Sequence, residues 1–246
     1  VSWLEDFVVA TSATLPERVR EALYTRGVTD EQIAAFRVGH IAGPGFLPTA
    51  EYPESFTKWV AIGDRLDDVY VFPLTNALGE VRGVQFRHVD RDRAGYMDFI
   101  EVNDEAIGFG LGLAAPFFWT DKSAFLVEGA FDLFPVQRVF PGTVGTLTAR
   151  VTDPFIRLLR RLVTRVWLGY DMDGAGRRAC ERFEKQHGSE FGVKVVKYPE
   201  VPMIGTDKLT KDPNDLWETW GDDKFQTFIR SQLGSLKEPF DAQGLR

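Results

Sequence analysis

The sequence predicts an α/β fold: a mainly parallel sheet flanked by helices, preceded by a smaller α+β N-terminal subdomain. Two observations carry this. From residue 124 onward, the short apolar runs "AFLVEG", "VWLGY" and "VKVVKY" alternate with helical patterns, the rhythm of βαβ units whose strands lie parallel. Before residue 90, helical patterns come first and two strand-like runs follow, joined by a turn. The division implied is residues 1–119 for the α+β subdomain, 120–221 for the parallel α/β domain and 222–246 for a C-terminal helix and tail.

The elements follow in order. "LPERVREALYTRG" sets Leu15, Val19, Leu23 and Tyr24 on one stripe, with Pro16 suited to a first turn and Gly27 as a breaker. "TDEQIAAF" opens a second short helix capped by Thr29 or Asp30. Residues 41–57 are rich in Gly and Pro and read as loop. "VYVFPL" (69–74) and "VRGVQFRHV" (81–89), joined by "TNALGE", predict a hairpin. Residues 90–123 are mixed. There "GFGLGL" lacks the spacing of a nucleotide loop and reads as loop or turn. "AFLVEG" is then a strand, 130–140 a helix and "GTVGTL" a short strand or turn. "DPFIRLLRRLVTR" is a helix with Asp153 as cap and Pro154 in its first turn. "VWLGY" is a strand, "GAGRRACERFEKQHG" a helix stopped at Gly188, and "VKVVKY" a strand.

Composition bounds the function. Apolar residues are 44% and charged residues 26% of the 246, ordinary for a globular protein. No apolar run has the length of a membrane span and no signal pattern opens the chain, so a cytoplasmic location with no membrane partner is expected. The single cysteine, Cys180, excludes a disulfide framework and a multi-cysteine zinc ribbon, so no zinc is expected in this chain. A net charge of −7 argues against general polyanion binding but leaves room for a local basic groove or metal-bridged phosphate contacts.

The chemistry concentrates at strand ends. In open α/β sheets functional groups gather at the carboxyl ends of strands. Glu128 ends "FLVE", Asp171 and Asp173 follow "VWLGY", and Asp212 lies beyond the third strand in "KDPND". Carboxylates so close repel each other unless something neutralises them. A hard divalent cation such as Mg²⁺ or Mn²⁺ does so, binding carboxylates together with substrate phosphates. Gly174 and Gly176 let the backbone turn and open a helix N-terminus that favours anions. The plainer reading of Asp-x-Asp-Gly is a solvated turn between strand and helix.

In order and spacing, "VEGAFDLF", "GTVGTLT", "WLGYDMDGAGRRA" and "KDPND" resemble the TOPRIM domain of primases, topoisomerases and some nucleases. Upstream, "LYTRGVTDEQIAAFRVGHI" and "VYVFPLTNALGEVRGVQFRHV" resemble the lead-in and hairpin of DnaG-type (bacterial and phage) primases. The resemblance covers about residues 15–220. It implies RNA primer synthesis from ribonucleoside triphosphates on a single-stranded DNA template. Glu128, Asp171 and Asp173 would be catalytic and carry divalent metals, with Asp132, Asp212 and Asn214 completing the ring. Two-metal logic would then apply: one ion lowers the pKa of the attacking 3′-hydroxyl and the other stabilises departing pyrophosphate. Arg87 matches a family arginine of the hairpin, Arg177 opens a helix beside the acidic motif, and Lys211 adjoins Asp212; these three are the candidates for nucleotide or phosphate contact. A separate zinc-ribbon module and a replicative helicase are the expected protein partners.

This chain departs from that pattern in places. Asn214 stands where DnaG-type enzymes have an aspartate, a variant resembling phage helicase–primases. Before the "FP" strand, where the family carries arginines, it has Asp67 and Asp68 with only Arg65 basic, and Gly95 replaces a family lysine. These losses count against autonomous priming. They support a competing reading as a non-catalytic DNA- or helicase-binding subunit; a TOPRIM nuclease is the other, because the same acidic site could hydrolyse phosphodiesters with water as nucleophile. Arg157, Arg160, Arg161 and Arg165 have helical spacing and form either a solvated face or a nucleic-acid track. His40, His88 and His187 show no ligand spacing, Cys180 reads as a small buried filler, and Trp217 and Trp220 as packing residues.

Overall fold

A computed structural model describes residues 2–43, 52–60, 66–93, 95–101, 104–148, 150–203 and 205–234. Arg65, residues 44–51 of the expected loop and the tail from 235 lie outside the described residues. The chain divides into two compact units, 1–115 and 116–246.

The first unit holds α1 (Trp3–Ser12), α2 (Glu17–Tyr24), α3 (Asp30–Ala35), β1 (Gly39–Ile41), α4 (Glu54–Val60), β2 (Val69–Thr75), β3 (Val81–His88), β4 (Tyr96–Ile100) and β5 (Gly108–Phe109). Its strands pair antiparallel, β2 with β1, β3 and β5, and β3 with β4. The expected hairpin is β2–β3, bulged between Leu74 and Thr75. Thr29 caps α3 in a reciprocal capping box with Gln32. Helix α1 lies outside the sequence expectation, which begins its elements at Leu15: Ser2 accepts from the Glu5 N–H, and Leu4, Phe7, Val8 and Thr11 are buried. Leu4, Phe7 and Val8 join Phe56 of α4 and Val69, Val84, Phe86 and Phe99 of the sheet in one core. That core explains two corrections. Residues 54–57 are the start of α4, because Phe56 is needed inside. "GFGLGL" is strand β5 followed by α5 (Leu111–Asp121), because Leu74 and Thr75 supply a pairing partner that local composition does not reveal.

The second unit contains β6 (Ser123–Val127), α6 (Ala130–Gln137), β7 (Thr143–Gly145), α7 (Asp153–Leu162), β8 (Arg165–Leu168), α8 (Gly174–His187), β9 (Gly192–Val195), α9 (Pro213–Trp220) and α10 (Asp222–Leu233). Its four strands are parallel in the order β7-β6-β8-β9. The fully buried β6 lies between β7 and β8. The chain goes from β6 to β7 on one side and then crosses to β8 on the other. The carboxyl ends of β6 and β8 are thus a topological switch point, where open α/β sheets open a crevice. The N-cap of α7 is Thr152 rather than Asp153, and it makes no side-chain cap bond. The third expected strand stops at Val195, opposite the last residue of β8, so "VKY" (196–198) continues as irregular chain. Trp217 donates to Asp222 and lies under the Arg138 guanidinium, and Trp220 meets Phe228 edge-on, so both are packing residues. Cys180 is buried in α8, and burial pushes its thiol up to about 11. Among the described residues, no helix is long and apolar enough to cross a membrane.

Candidate active site

Helix starts set the acidic residues in place. Glu128 is the first residue beyond β6. Gly129 begins α6, and Asp132 reaches back so that its Oδ2 accepts the Gly129 N–H at 3.0 Å. Beyond β8, Gly169 donates to the Leu126 carbonyl at 2.8 Å, Tyr170 is buried, and the chain surfaces at Asp171. Asp173 caps α8, its Oδ1 accepting from the Ala175 and Gly176 N–H groups, both at 2.8 Å. Asp212 caps α9, its Oδ1 accepting from the Asp215 N–H at 2.7 Å. The Met172 N–H donates to the Lys211 carbonyl at 2.7 Å and ties the two acidic loops together. The caps occupy one oxygen each on Asp132, Asp173 and Asp212 and leave the other for something else. A turn-and-cap role and a ligand role thus coexist.

Gly176 is what allows this arrangement. A Cβ there would lie 2.1 Å from the Asp171 carbonyl oxygen, 2.9 Å from its carbon and 3.0 Å from its nitrogen. Helix α8 begins directly against the backbone that carries Asp171.

Ligand atoms of Asp132, Asp171 and Asp212 all fall within 4.8 Å of one another. The tight cluster therefore takes two members from the outer ring of the sequence expectation, Asp132 and Asp212, alongside Asp171. Glu128 and Asp173 stand beside it. Burial, followed by the charges of Asp171 and Asp173, raises Glu128 to about 7. Asp212 is raised to about 7 by burial, then by Asp215 and Asp171. Asp132, fully enclosed, is raised by burial and by Asp212 and Asp171. Asp173 goes the other way, because the N–H groups of Gly176 and Ala175 favour its charged form. Lys211 Nζ sits 2.9 Å from Asp171 and 3.9 Å from Asp212. Burial works against its charge, but Asp171, Asp212 and Asp215 outweigh burial and hold the ammonium protonated.

A hard divalent cation fits this donor set. The ligand atoms are carboxylate oxygens, and among the described residues the Lys211 ammonium and the capping N–H groups of Gly129 and Asp215 offset only part of their mutual repulsion. Asp132, Asp171 and Asp212 could hold such an ion, with Glu128 within their field.

A pH dependence follows. Glu128 and Asp212 bind protons more tightly in the folded chain than in the unfolded one. Their protonated forms therefore stabilise the metal-free fold below about pH 4, and this contribution is lost as pH rises to about 7. Mg²⁺ or Mn²⁺ needs the ionised forms, so the rise in melting temperature on adding metal should be larger at pH 8 than at pH 5. Melting curves with EDTA and with MgCl₂ at both pH values check this. An equal rise at both would detach these carboxylates from metal binding.

The remaining expected residues are more dispersed. Asn214 is buried in the first turn of α9. Arg177 is exposed on the first turn of α8. Arg87 lies on β3, in the other unit. Asp67 and Asp68 have structural work there: Asp68 pairs with Arg18 and with His40 Nε2, and the Asp67 carbonyl lies 2.9 Å from His88 Nδ1. Two neighbours of the site went unread in the sequence. Asp215 looks like an ordinary residue of a helix first turn. Tyr198 ends a strand-like run with nothing to mark it, yet its buried hydroxyl has no hydrogen-bond partner among the described residues and lies in the field of Asp132, Asp212 and Asp171.

Comparison with known proteins adds the family. Residues 125–217 match the family model described as Toprim-like. These residues form a Toprim-like domain. The span starts inside β6 and ends in α9, so this TOPRIM domain contains Glu128, Asp132, Asp171, Asp173 and Asp212. The chain is also similar to DNA primases. It is 28% identical over 210 residues to that of Deinococcus radiodurans, covering 75% of this chain and 36% of the relative. It is 24% identical over 212 residues to that of Lactococcus lactis, covering 78% and 33%. The chain thus spans about a third of the length of these curated relatives. A DNA primase domain from Pseudomonas aeruginosa has a similar fold, with TM-score 0.69, 22% identity and coverage of 93% of this chain and 78% of that one. The catalytic domain of a DnaG primase bound to ssDNA has TM-score 0.64, 23% identity and coverage of 91% and 74%. The α+β region preceding the TOPRIM domain is therefore of the DnaG-type primase fold as well.

Proposed function

We propose that this chain is a primase catalytic core that synthesises RNA primers on single-stranded DNA by nucleotidyl transfer. The carrying observation is the convergence of Asp132, Asp171 and Asp212 at the switch point of a TOPRIM sheet, with Glu128 in their field. Similarity to DNA primases over three quarters of the chain supports the choice of reaction. Glu128, Asp171 and Asp173 are the catalytic carboxylates, and Asp132, Asp212 and Asn214 complete the metal-holding ring. A bound Mg²⁺ or Mn²⁺ would polarise the attacking 3′-hydroxyl and the phosphates of the incoming ribonucleotide. Glu128, raised towards neutrality by burial, is suited to take up the hydroxyl proton. Lys211 and Arg177 are the phosphate contacts of this reading, and Arg87 is its further candidate for nucleotide contact. Template, ribonucleoside triphosphates, a zinc-ribbon module supplied from elsewhere and a replicative helicase are the partners this reading requires.

The test is incorporation of labelled ribonucleotides on single-stranded DNA with Mg²⁺ or Mn²⁺. Short RNA products are expected. Metal-dependent shortening of the DNA without synthesis would instead identify a nuclease. Neither activity, even with a primase zinc module added in trans, would leave a binding subunit.

A further inference from the structure

The carboxylate cluster is not the only feature of the second unit built for a phosphate-bearing ligand. A cavity of about 370 Å³ opens between the chain at 150–153 and one flank of α8, lined by Arg150, Asp153, Ala179, Arg182, Phe183 and Gln186. Ala179 and Phe183 are buried and form an apolar floor. Arg150 and Arg182 are exposed at the rim. Among the described residues, neither guanidinium has a carboxylate partner, whereas Arg160 on the adjoining helix is held by both oxygens of Glu190. His187 also lines the cavity, with its Nδ1 3.6 Å from Glu190 Oε1. Asp153 brings one carboxylate to the cavity lining, and among the described residues it forms no ion pair with Arg150 or Arg182. In a chain with 36 acidic and 29 basic residues, two adjacent unmatched arginines on one cavity need a reason.

Helix geometry supplies one. Arg178 and Arg182 are four residues apart, on the same flank of α8. The Arg178 guanidinium folds back over Gly174, at the helix start capped by Asp173. From Gly174 to Arg182 the helix rises about 12 Å. A line of cationic forks therefore runs from the acidic end of α8 to the cavity. Guanidinium forks suit phosphate oxygens, which they bind bidentately. A few hundred Å³ is enough for a nucleotide unit.

We propose that this cavity is a second phosphate-binding site, with Arg150 and Arg182 gripping the backbone of a single-stranded nucleic acid that runs along α8. If that strand is the template, the site extends the synthesis reading; as a binding site it stands without it. The site is tested by fluorescence anisotropy of labelled (dT)₁₆ with the full chain in EDTA, where the acidic cluster cannot recruit phosphate through metal. The double variant Arg150→Gln/Arg182→Gln is expected to bind about tenfold more weakly. Its plot of log affinity against log salt should be shallower by about 1.4, since each lost contact to a single strand removes about 0.7. Arg157→Gln, exposed on α7 outside the cavity, should change neither quantity. Equilibrium dialysis of ATP under the same conditions distinguishes the source of the phosphate. Loss of ATP binding alone in the double variant would move the site to free nucleotides. The proposal is overturned if wild type binds neither probe, if the double variant binds both as wild type does, or if Arg157→Gln loses as much. Lysine at both positions, expected to keep most of the affinity, guards against a folding defect. Because metal is absent throughout, a negative result here does not touch the synthesis reaction, and loss of synthesis does not touch this site.

Discussion

Asp171→Ala is expected to reduce ribonucleotide incorporation by about a thousandfold, or some 4 kcal/mol of transition-state stabilisation. Asp171 is the residue on which the site converges. It is in the close cluster with Asp132 and Asp212, it raises Glu128, and it accepts the nearer contact of Lys211 at 2.9 Å. Removing it deletes a ligand and frees Lys211 in one step. Stability should change little. The Lys211–Asp171 pair has a half-exposed lysine, so its loss costs at most about 1 kcal/mol, and relief of carboxylate repulsion offsets part of that. Incorporation assays beside thermal melts of the same variant check both halves. A variant that melts far below wild type would make the activity loss uninformative, and one that keeps activity would remove Asp171 from the site.

Gly176→Ala should be nearly as damaging, for a steric reason. The new Cβ would meet three backbone atoms of Asp171, the nearest at 2.1 Å. Backbone cannot rotate aside as a side chain does, so the 171–173 turn or the start of α8 must move. Overpacking of this kind costs about 1–3 kcal/mol, which lowers the melting temperature of a chain this size by several degrees, about 2–4 °C per kcal/mol. A shift of about 1 Å in Asp171 would cost roughly a hundredfold in rate. Gly174→Ala is the matched control. Its Cβ would meet only the end of the Arg178 side chain, at 3.1 Å, and alanine is the better helix former by about 0.5–1 kcal/mol. Gly174→Ala should therefore be close to wild type in melting temperature and in incorporation. Equal behaviour of the two variants would show that the contact at Gly176 does not hold the site together.

The contrast between these two glycines shows where sequence reading stops. "GAG" after "DMD" marks a turn and a helix start, but it does not say which glycine is indispensable. That depends on where the Asp171 carbonyl points once β8 and α8 are packed. The acidic residues are a second case. Each is legible alone, as a strand end or as a helix cap, because caps and turns are settled within three or four residues. Their grouping is not. Asp132, Asp171 and Asp212 belong to different βα connections, and they meet because β6 and β8 are neighbours in the sheet.

The sequence by itself determined the alternation of short buried strands with helices, the β2–β3 hairpin, the short helix opening at Thr29 or Asp30 and the acidic motifs that mark a TOPRIM domain. All of these depend on neighbours a few residues apart, where periodicity and turn chemistry act. Only the tertiary structure decided the rest. Leu74 and Thr75 turn the start of a glycine-rich stretch into β5. The end of β8 at Leu168 stops β9 at Val195. The packed sheet gathers ligand atoms of Asp132, Asp171 and Asp212 within 4.8 Å of one another. Pairing and proximity across tens of residues are set by which surfaces pack together, and no local pattern carries that information.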